Sequence, residues 1–488
     1  MSQRDLSPEE FRELGHAYVD WIADYRARVG DLPVLPDVEP GWVRERLPAK
    51  LPEEGEPLTA VLADMDRVVV PATTHWQHPG FFAYFPANAS LASLLGDMLS
   101  TGLGSQGMLW STSPACTELE QHLLDQLADA LGLPAEFTFG GGGGGVIQDS
   151  ASSSSLVALL AALHRTSGGA WRTAGRDGRE VLYVSAHTHS SLEKAAIAAG
   201  LGAGAVRIVD SAPDGEAGGG QAMSPAALAA AVREDVAAGR RPVMVCATIG
   251  TTGTGAVDPV REIAAVCAEY GVWLHVDAAW AGAAAFCPEH RGLFDGAGLA
   301  DSYSTDGHKW LLTAFDCNLF WTRDTATLVG ALTVLPEYLR NAASESGAVV
   351  DYRDWHLPLG RRFRALKLWT VLRRFGLEGI RAHVRRHVGL AAELESWAAA
   401  DPRFALGVPR SLALVCLYVA TGRGTDADNA ATQAALERIN AGGRSYVTHT
   451  VVDGRYLLRV AVGGLETELR HVRALWDDLC AAADAVTG

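Results

Sequence analysis

Three stretches of the chain join reactive side chains to the backbone features that chemistry requires. Residues 140–145 are consecutive glycines, followed by Val146, Ile147, Gln148 and Asp149 and then by Ser150, Ala151, Ser152, Ser153, Ser154 and Ser155 at the start of an apolar helical run. Free backbone N–H groups, hydroxyls and the positive end of a helix dipole suit a phosphate. No Lys-Ser/Thr follows the glycines, so this is not a P-loop. Asp277 ends the apolar run Leu274, His275, Val276, at the strand edge where α/β folds bind ligands. Lys309 stands between His308 and Trp310 and ahead of Leu311 and Leu312, a setting that predicts a desolvated amine fit for nucleophilic use. Taken singly these are a flexible loop with a cap, a helix-capping aspartate and a structural lysine. In one order, with Lys309 32 residues after Asp277, they match the three anchors of pyridoxal phosphate: a phosphate cradle, a carboxylate for the pyridinium proton and an amine for the Schiff base.

Elements able to position such anchors can be read from the hydrophobic pattern. Strands are expected at 181–185, 205–209, 242–248, 272–277 and 318–321, with helices at 155–165, 225–237 and 259–270 between them. Strands alternating with helices predict an α/β fold, a mainly parallel central sheet with helices on both faces and ligands at the carboxyl ends of the strands. Ser7, Pro8, Glu9 and Glu10 form a capping box ahead of an amphipathic helix carrying Phe11, Leu14, Tyr18, Ile22 and Tyr25. The Pro-rich residues 32–57 read as an extended arm, residues 333–352 as a long surface loop, and residues 421–429 as a turn. A nine-residue strand at 412–420 and a last helix with Leu469, Val472, Trp476 and Leu479 on one face indicate a smaller C-terminal α/β domain.

The 488 residues include 41 Lys+Arg and 57 Asp+Glu, a formal charge of -16. That balance disfavours a nucleic-acid or anionic-membrane surface, so an anionic ligand must be held locally. Seven cysteines without close spacing suggest neither a disulfide framework nor a metal site. No apolar stretch approaches a membrane span, and the expected location is the cytoplasm.

The residues already quoted belong to longer motifs: THWQHPGFFAYFP at 74–86, SPACTELE at 113–120, GGGVIQDSAS at 143–152, HVDAAWAG at 275–282, HKWLL at 308–312 and DYRDWHLPLGRRFRALKLW at 351–369. Together they closely resemble the group II pyridoxal-phosphate decarboxylases, in particular the aromatic L-amino acid decarboxylases. The resemblance implies a fold type I homodimer with shared active sites: an N-terminal helical arm over residues 1–90, a large cofactor domain over 91–365 and a small domain over 366–488. It implies that Lys309 carries the cofactor, Asp277 pairs with its ring nitrogen, His189 stacks on the ring, Ala151 and Ser152 contact the phosphate, and Thr252 and His308 lie close by. Tyr338 matches a catalytic tyrosine on a mobile loop thought to act across the dimer.

For substrate, the resemblance implies aromatic walls from Trp76, Tyr84, Phe85 and Pro86. The pocket departs from the animal enzyme at Ala87, Gln106 and Met108, which stand in place of Thr, Ile and Phe, and Trp280 replaces a usual Tyr. Gly360 matches the glycine of plant relatives with indolic substrates, where Ser goes with phenolic ones. This favours tryptophan or 5-hydroxytryptophan over tyrosine, phenylalanine or DOPA. Asp306 and Asp149 replace Asn and Gly, and two added carboxylates near a phosphate are expected to weaken its binding. The alternatives are an oxidative aromatic aldehyde synthase of the same family, which carries Phe at the tyrosine or Asn at the histidine position, or another fold type I enzyme.

Overall fold

The computed structural model describes residues 5–212, 220–334 and 349–487, so Tyr338 and most of the expected 333–352 loop lie outside the described residues. The strands of the main sheet are β1 (Gly144–Gln148), β2 (Glu180–Ser185), β3 (Val206–Val209), β4 (Arg241–Thr248), β5 (Trp273–Asp277), β6 (Ser302–Asp306) and β7 (Asn318–Thr322). Their order is β1-β7-β6-β5-β4-β2-β3. Neighbours from β3 to β6 are parallel, and β7 runs against both β6 and β1. Two reversals restore direction, so β1 also ends at the edge where β2, β4, β5 and β6 end. Helices Ala151–Ser167, Pro225–Ala237 and Val260–Tyr270 pack against the sheet, as the pattern predicts.

Two strands escape the pattern. Gly144 and Gly145, read as loop, are the first two of the five residues of a buried β1. A Cβ on Gly144 would lie 2.7 Å from the Phe139 ring and one on Gly145 2.8 Å from the Trp321 ring, so the glycines serve close packing within a strand. β6 is Ser-Tyr-Ser-Thr-Asp and wholly buried. Ser302 Oγ accepts from Trp273 Nε1 at 2.9 Å, whereas Tyr303 Oη and Ser304 Oγ are buried with no hydrogen-bond partner among the described residues.

A second, antiparallel sheet contains β8 (Phe404–Leu406), β9 (Leu414–Val419), β10 (Thr448–Val452) and β11 (Arg455–Ala461) in the order β10-β11-β9-β8. Helix Thr425–Ala441 begins inside the stretch expected to be a turn, and the short helix Trp42–Arg46 interrupts the Pro-rich arm. Helix Arg364–Ala400 leads from the first sheet to the second, with a break at Gly376 (φ 59°). The capping box of helix Pro8–Arg28 is formed, but none of that helix is buried and Phe11 is 58% exposed. Among the described residues no helix is long and apolar enough to cross a membrane, all seven cysteines are free, and no acidic, His or Cys cluster could hold a metal ion.

Candidate active site

The strand ends converge on one cavity of about 340 Å³. Pairing puts Thr248 at the end of β4 opposite Asp277 at the end of β5, and Asp277 opposite Ser304 of β6. The cavity is lined by Ser150, Ala151 and Ser152 after β1, His189 after β2, Thr252 after β4, Asp277, and Asp306, His308 and Lys309 after β6. Ser150 caps helix Ala151–Ser167 by accepting from Ser153 N, which leaves the first helical N–H groups, those of Ala151 and Ser152, facing the cavity unspent. His189 Nδ1 accepts from Ser191 N at 3.2 Å, so the neutral ring carries its proton on Nε2.

Asp277 is buried, and its Oδ1 accepts from Ala279 N at 2.9 Å. Burial pushes its carboxyl above the ordinary range, against the pull of the Ala279 N–H and the Lys309 charge. Among the described residues no cation comes within ion-pair distance of it. A lone buried carboxylate is costly, and a cation brought against it would reverse the shift.

Lys309 is not sealed away as its apolar neighbours suggest. Its side chain is 27% exposed, and Nζ lies 2.6 Å from Asp306 Oδ2. Trp310 and Leu311 point into the core while the amine faces the cavity. Asp306 also accepts from Asn318 Nδ2 at 2.8 Å and stands 3.6 Å from His308 Nε2. Burial raises the Asp306 carboxyl, but the Lys309 and His308 charges and these hydrogen bonds outweigh it and hold the group below the ordinary range. Asp149, the other departing carboxylate, is exposed and does not line the cavity.

Much of the remaining cavity wall is aromatic. Trp76, Tyr84, Phe85, Trp280 and Ala87 line it. Trp76 stacks on Tyr84 with centroids 5.7 Å apart, and Phe85 on Trp280 at 4.8 Å. Pro86 is not part of this wall and packs by Gly463, whose Cβ would lie 3.0 Å from it. Gln106, Met108 and Gly360 are likewise off the cavity of their own chain. They form a separate patch in which Gln106 Oε1 accepts from Arg361 N at 2.6 Å and a Cβ on Gly360 would lie 3.3 Å from Gln106 Nε2. The buried pair Arg361–Glu120 (2.6 Å) ties that patch to β1, where Glu120 also accepts from Ile147 N.

Sequence reasoning missed Arg459 on β11, which also lines the cavity. Its Nε donates to Thr252 O at 2.6 Å and its Nη1 to Tyr84 O, while Nη2 is buried with no partner among the described residues. Burial brings its guanidinium down to about 10, still a cation at neutral pH. It also missed Tyr446, whose hydroxyl meets that of Tyr84 at 3.2 Å. Arg459 acts from the second sheet and Tyr446 from the segment just before β10, where it bridges Phe81, and no local pattern signals them.

A phosphate-ready helix start, an unpaired buried carboxylate and an accessible amine on one cavity fit pyridoxal phosphate, and define a pyridoxal-phosphate enzyme of the α/β class. The model of the pyridoxal-dependent decarboxylase conserved domain matches residues 40–420, and the chain belongs to that family. It is 43% identical to phenylacetaldehyde synthase of Arabidopsis thaliana (97% of this chain, 96% of the relative). It is 41% identical to tyrosine decarboxylase of Papaver somniferum (100% and 97%). Oryza sativa TDC, solved with PLP and tryptamine, superposes with a TM-score of 0.95 at 39% identity over the full length of both chains. The chain is thus a carboxy-lyase of the aromatic amino acid decarboxylase family with pyridoxal phosphate as its cofactor.

Proposed function

We propose that the protein decarboxylates an aromatic L-amino acid to its amine and CO2, with tryptophan or 5-hydroxytryptophan preferred over tyrosine, phenylalanine and DOPA. The observation that carries this reading is that Lys309 and Asp277 line the same cavity as the aromatic rings of Trp76, Tyr84, Phe85 and Trp280. The bound cofactor supplies an electron sink for the pair left at Cα when CO2 departs. Lys309 Nζ is the attachment point and Asp277 keeps a proton on the ring nitrogen. The unspent N–H groups of Ala151 and Ser152 hold the phosphate, with Thr252 and His308 beside the cofactor. His189 lies against its ring. The aromatic walls take the side chain, where burial of an indole is a large apolar gain, and exclude water from the carboxylate.

Tyr338 donates the proton to Cα, which separates clean decarboxylation from aldehyde synthesis. Similarity to an aldehyde synthase makes that the second reading. In Tyr338→Phe the main products change from amine and CO2 to aldehyde, CO2, ammonia and hydrogen peroxide, with one dissolved O2 as oxidant and one water consumed per turnover. Supplying each aromatic amino acid to the holoenzyme and measuring amine, CO2 and peroxide together tests both readings. Peroxide and aldehyde from the wild type would favour the synthase, while amine as sole product of Tyr338→Phe would remove Tyr338 from the mechanism.

The working unit in this reading is a homodimer, with residues 1–90 as arm, 91–365 as cofactor domain and 366–488 as small domain. Helix Leu91–Leu103 leaves Leu91, Leu95, Met98, Leu99 and Leu103 exposed on one face. That face leads straight to the Gln106, Met108 and Gly360 patch. A second copy on it covers the apolar surface and brings the patch to the partner's aromatic cavity. Sedimentation velocity at micromolar protein checks the assembly, and a monomer there would be fatal to it.

A further inference from the structure

Lysine has a long flexible side chain, so the aim of its amine depends on how firmly its backbone is held. Lys309 is in no helix or strand. Yet both peptide groups flanking its Cα end on one residue, Asn88, which is 1% exposed. Asn88 N donates to His308 O at 2.9 Å, and Asn88 Nδ2 donates to Lys309 O at 2.7 Å. The remaining groups of the same side chain reach the second sheet's end of the chain. Nδ2 also donates to Gly463 O at 2.8 Å, and Oδ1 accepts from Leu465 N at 2.9 Å. Gln77 brackets the residue, its amide bonding Ala87 O at 2.6 Å and Ala89 N at 3.1 Å.

A second tie runs parallel to the first. Trp310 Nε1 donates to His387 Nδ1 at 2.9 Å, and His387 Nε2 donates to Gly464 O at 3.0 Å. Lys309 and Trp310 are therefore both fastened to the Gly463–Gly464 step. That step cannot carry a side chain at the first position, because a Cβ on Gly463 would lie 2.9 Å from the Phe85 ring. Every donor and acceptor of the Asn88 amide is used, and a buried amide satisfied on all sides has one low-energy pose.

We propose that Asn88 is a positioning residue for Lys309: by fixing the two peptide planes on either side of the lysine and joining them to Gly463 and Leu465, it sets where the amine stands over the cofactor ring. The proposal rests on Lys309 as the cofactor-bearing lysine. Asn88→Ala removes the side-chain ties without adding charge, and Asn88→Asp keeps the shape while turning an acceptor toward two carbonyls. Thr467→Val is the control. It removes another buried bond between the same segments, Thr467 Oγ1 to Pro79 O at 2.9 Å, that does not reach Lys309.

Two readouts on holoenzyme separate positioning from folding: the dissociation constant for pyridoxal phosphate, and the pH midpoint of the visible band of the lysine-bound cofactor. Both Asn88 variants are expected to bind the cofactor about tenfold more weakly, the factor that about 1.4 kcal/mol represents, and Asn88→Ala to move the midpoint by about half a pH unit or more. Thr467→Val keeps the wild-type values. Wild-type affinity and midpoint in either folded Asn88 variant overturn the proposal, as does an equal loss in Thr467→Val. Borohydride trapping and peptide mapping of the wild type keep the two levels apart. A label away from Lys309 defeats the site assignment, whereas a label on Lys309 with unmoved Asn88 variants defeats only the role of Asn88.

Discussion

The two ends of the cavity are built differently. At the cofactor end, each group follows directly from a strand of one sheet, and Asp277, Asp306 and His308 are buried. At the aromatic end, Trp76 is 40% and Tyr84 49% exposed, both lie on irregular chain, and the residues expected beside them, Gln106, Met108 and Gly360, sit elsewhere on the same chain. Within one chain the residues expected at the cofactor end come together on the cavity, and Gln106, Met108 and Gly360, expected at the substrate end, do not. In the proposed dimer, chemistry common to a family stays fixed while substrate range varies at a surface completed on assembly.

The sharpest break falls at the cofactor end. Asp277→Ala removes the carboxylate proposed to keep the ring nitrogen protonated, and amine formation should drop on the order of a hundredfold to a thousandfold, tenfold for each pKa unit it contributes. Steady-state kinetics at saturating cofactor check this, and a loss of only a fewfold would detach Asp277 from the ring. Asp306→Asn acts at the same end with the opposite sign. It frees Lys309 from a 2.6 Å ion pair and takes a carboxylate out of the cavity proposed to hold the phosphate, so cofactor should bind about tenfold tighter in an equilibrium titration. Unchanged affinity would mean that Asp306 is harmless once paired. The smallest effect belongs to the aromatic end. Gly360→Ser should move the ratio of kcat/KM for tryptophan over tyrosine toward tyrosine by about tenfold, the usual reach of one small group in a pocket. No change in that ratio would leave Gly360 outside the substrate site.

Much of the cofactor end was readable because its signals are local: an apolar strand stopping at Asp277, a serine-rich helix start at Ser150, a lysine among Trp310 and Leu311. The five expected strands of the main sheet also formed, as β2, β3, β4, β5 and β7. Failures arose where tertiary packing overrides local preference. Gly144 and Gly145 are strand because rings press on them, and the polar run Ser302–Asp306 is strand because its backbone pairs with β5 on one side and β7 on the other. Arg459, Tyr446 and Asn88 reach the site across hundreds of residues, a distance over which periodicity is silent. The environment of Lys309 was misjudged because neighbours in sequence need not be neighbours of the amine.

The backbone of Tyr84 is left-handed, at φ 49°, with its carbonyl held by Arg459. Such a conformation costs a side-chain-bearing residue about 1–2 kcal/mol, and a β-branched one more. Libraries made to retune this enzyme should therefore be lopsided at that codon. Glycine and asparagine would relax the chain and survive screening for soluble protein, while valine, isoleucine and threonine would be lost before any catalyst could be scored.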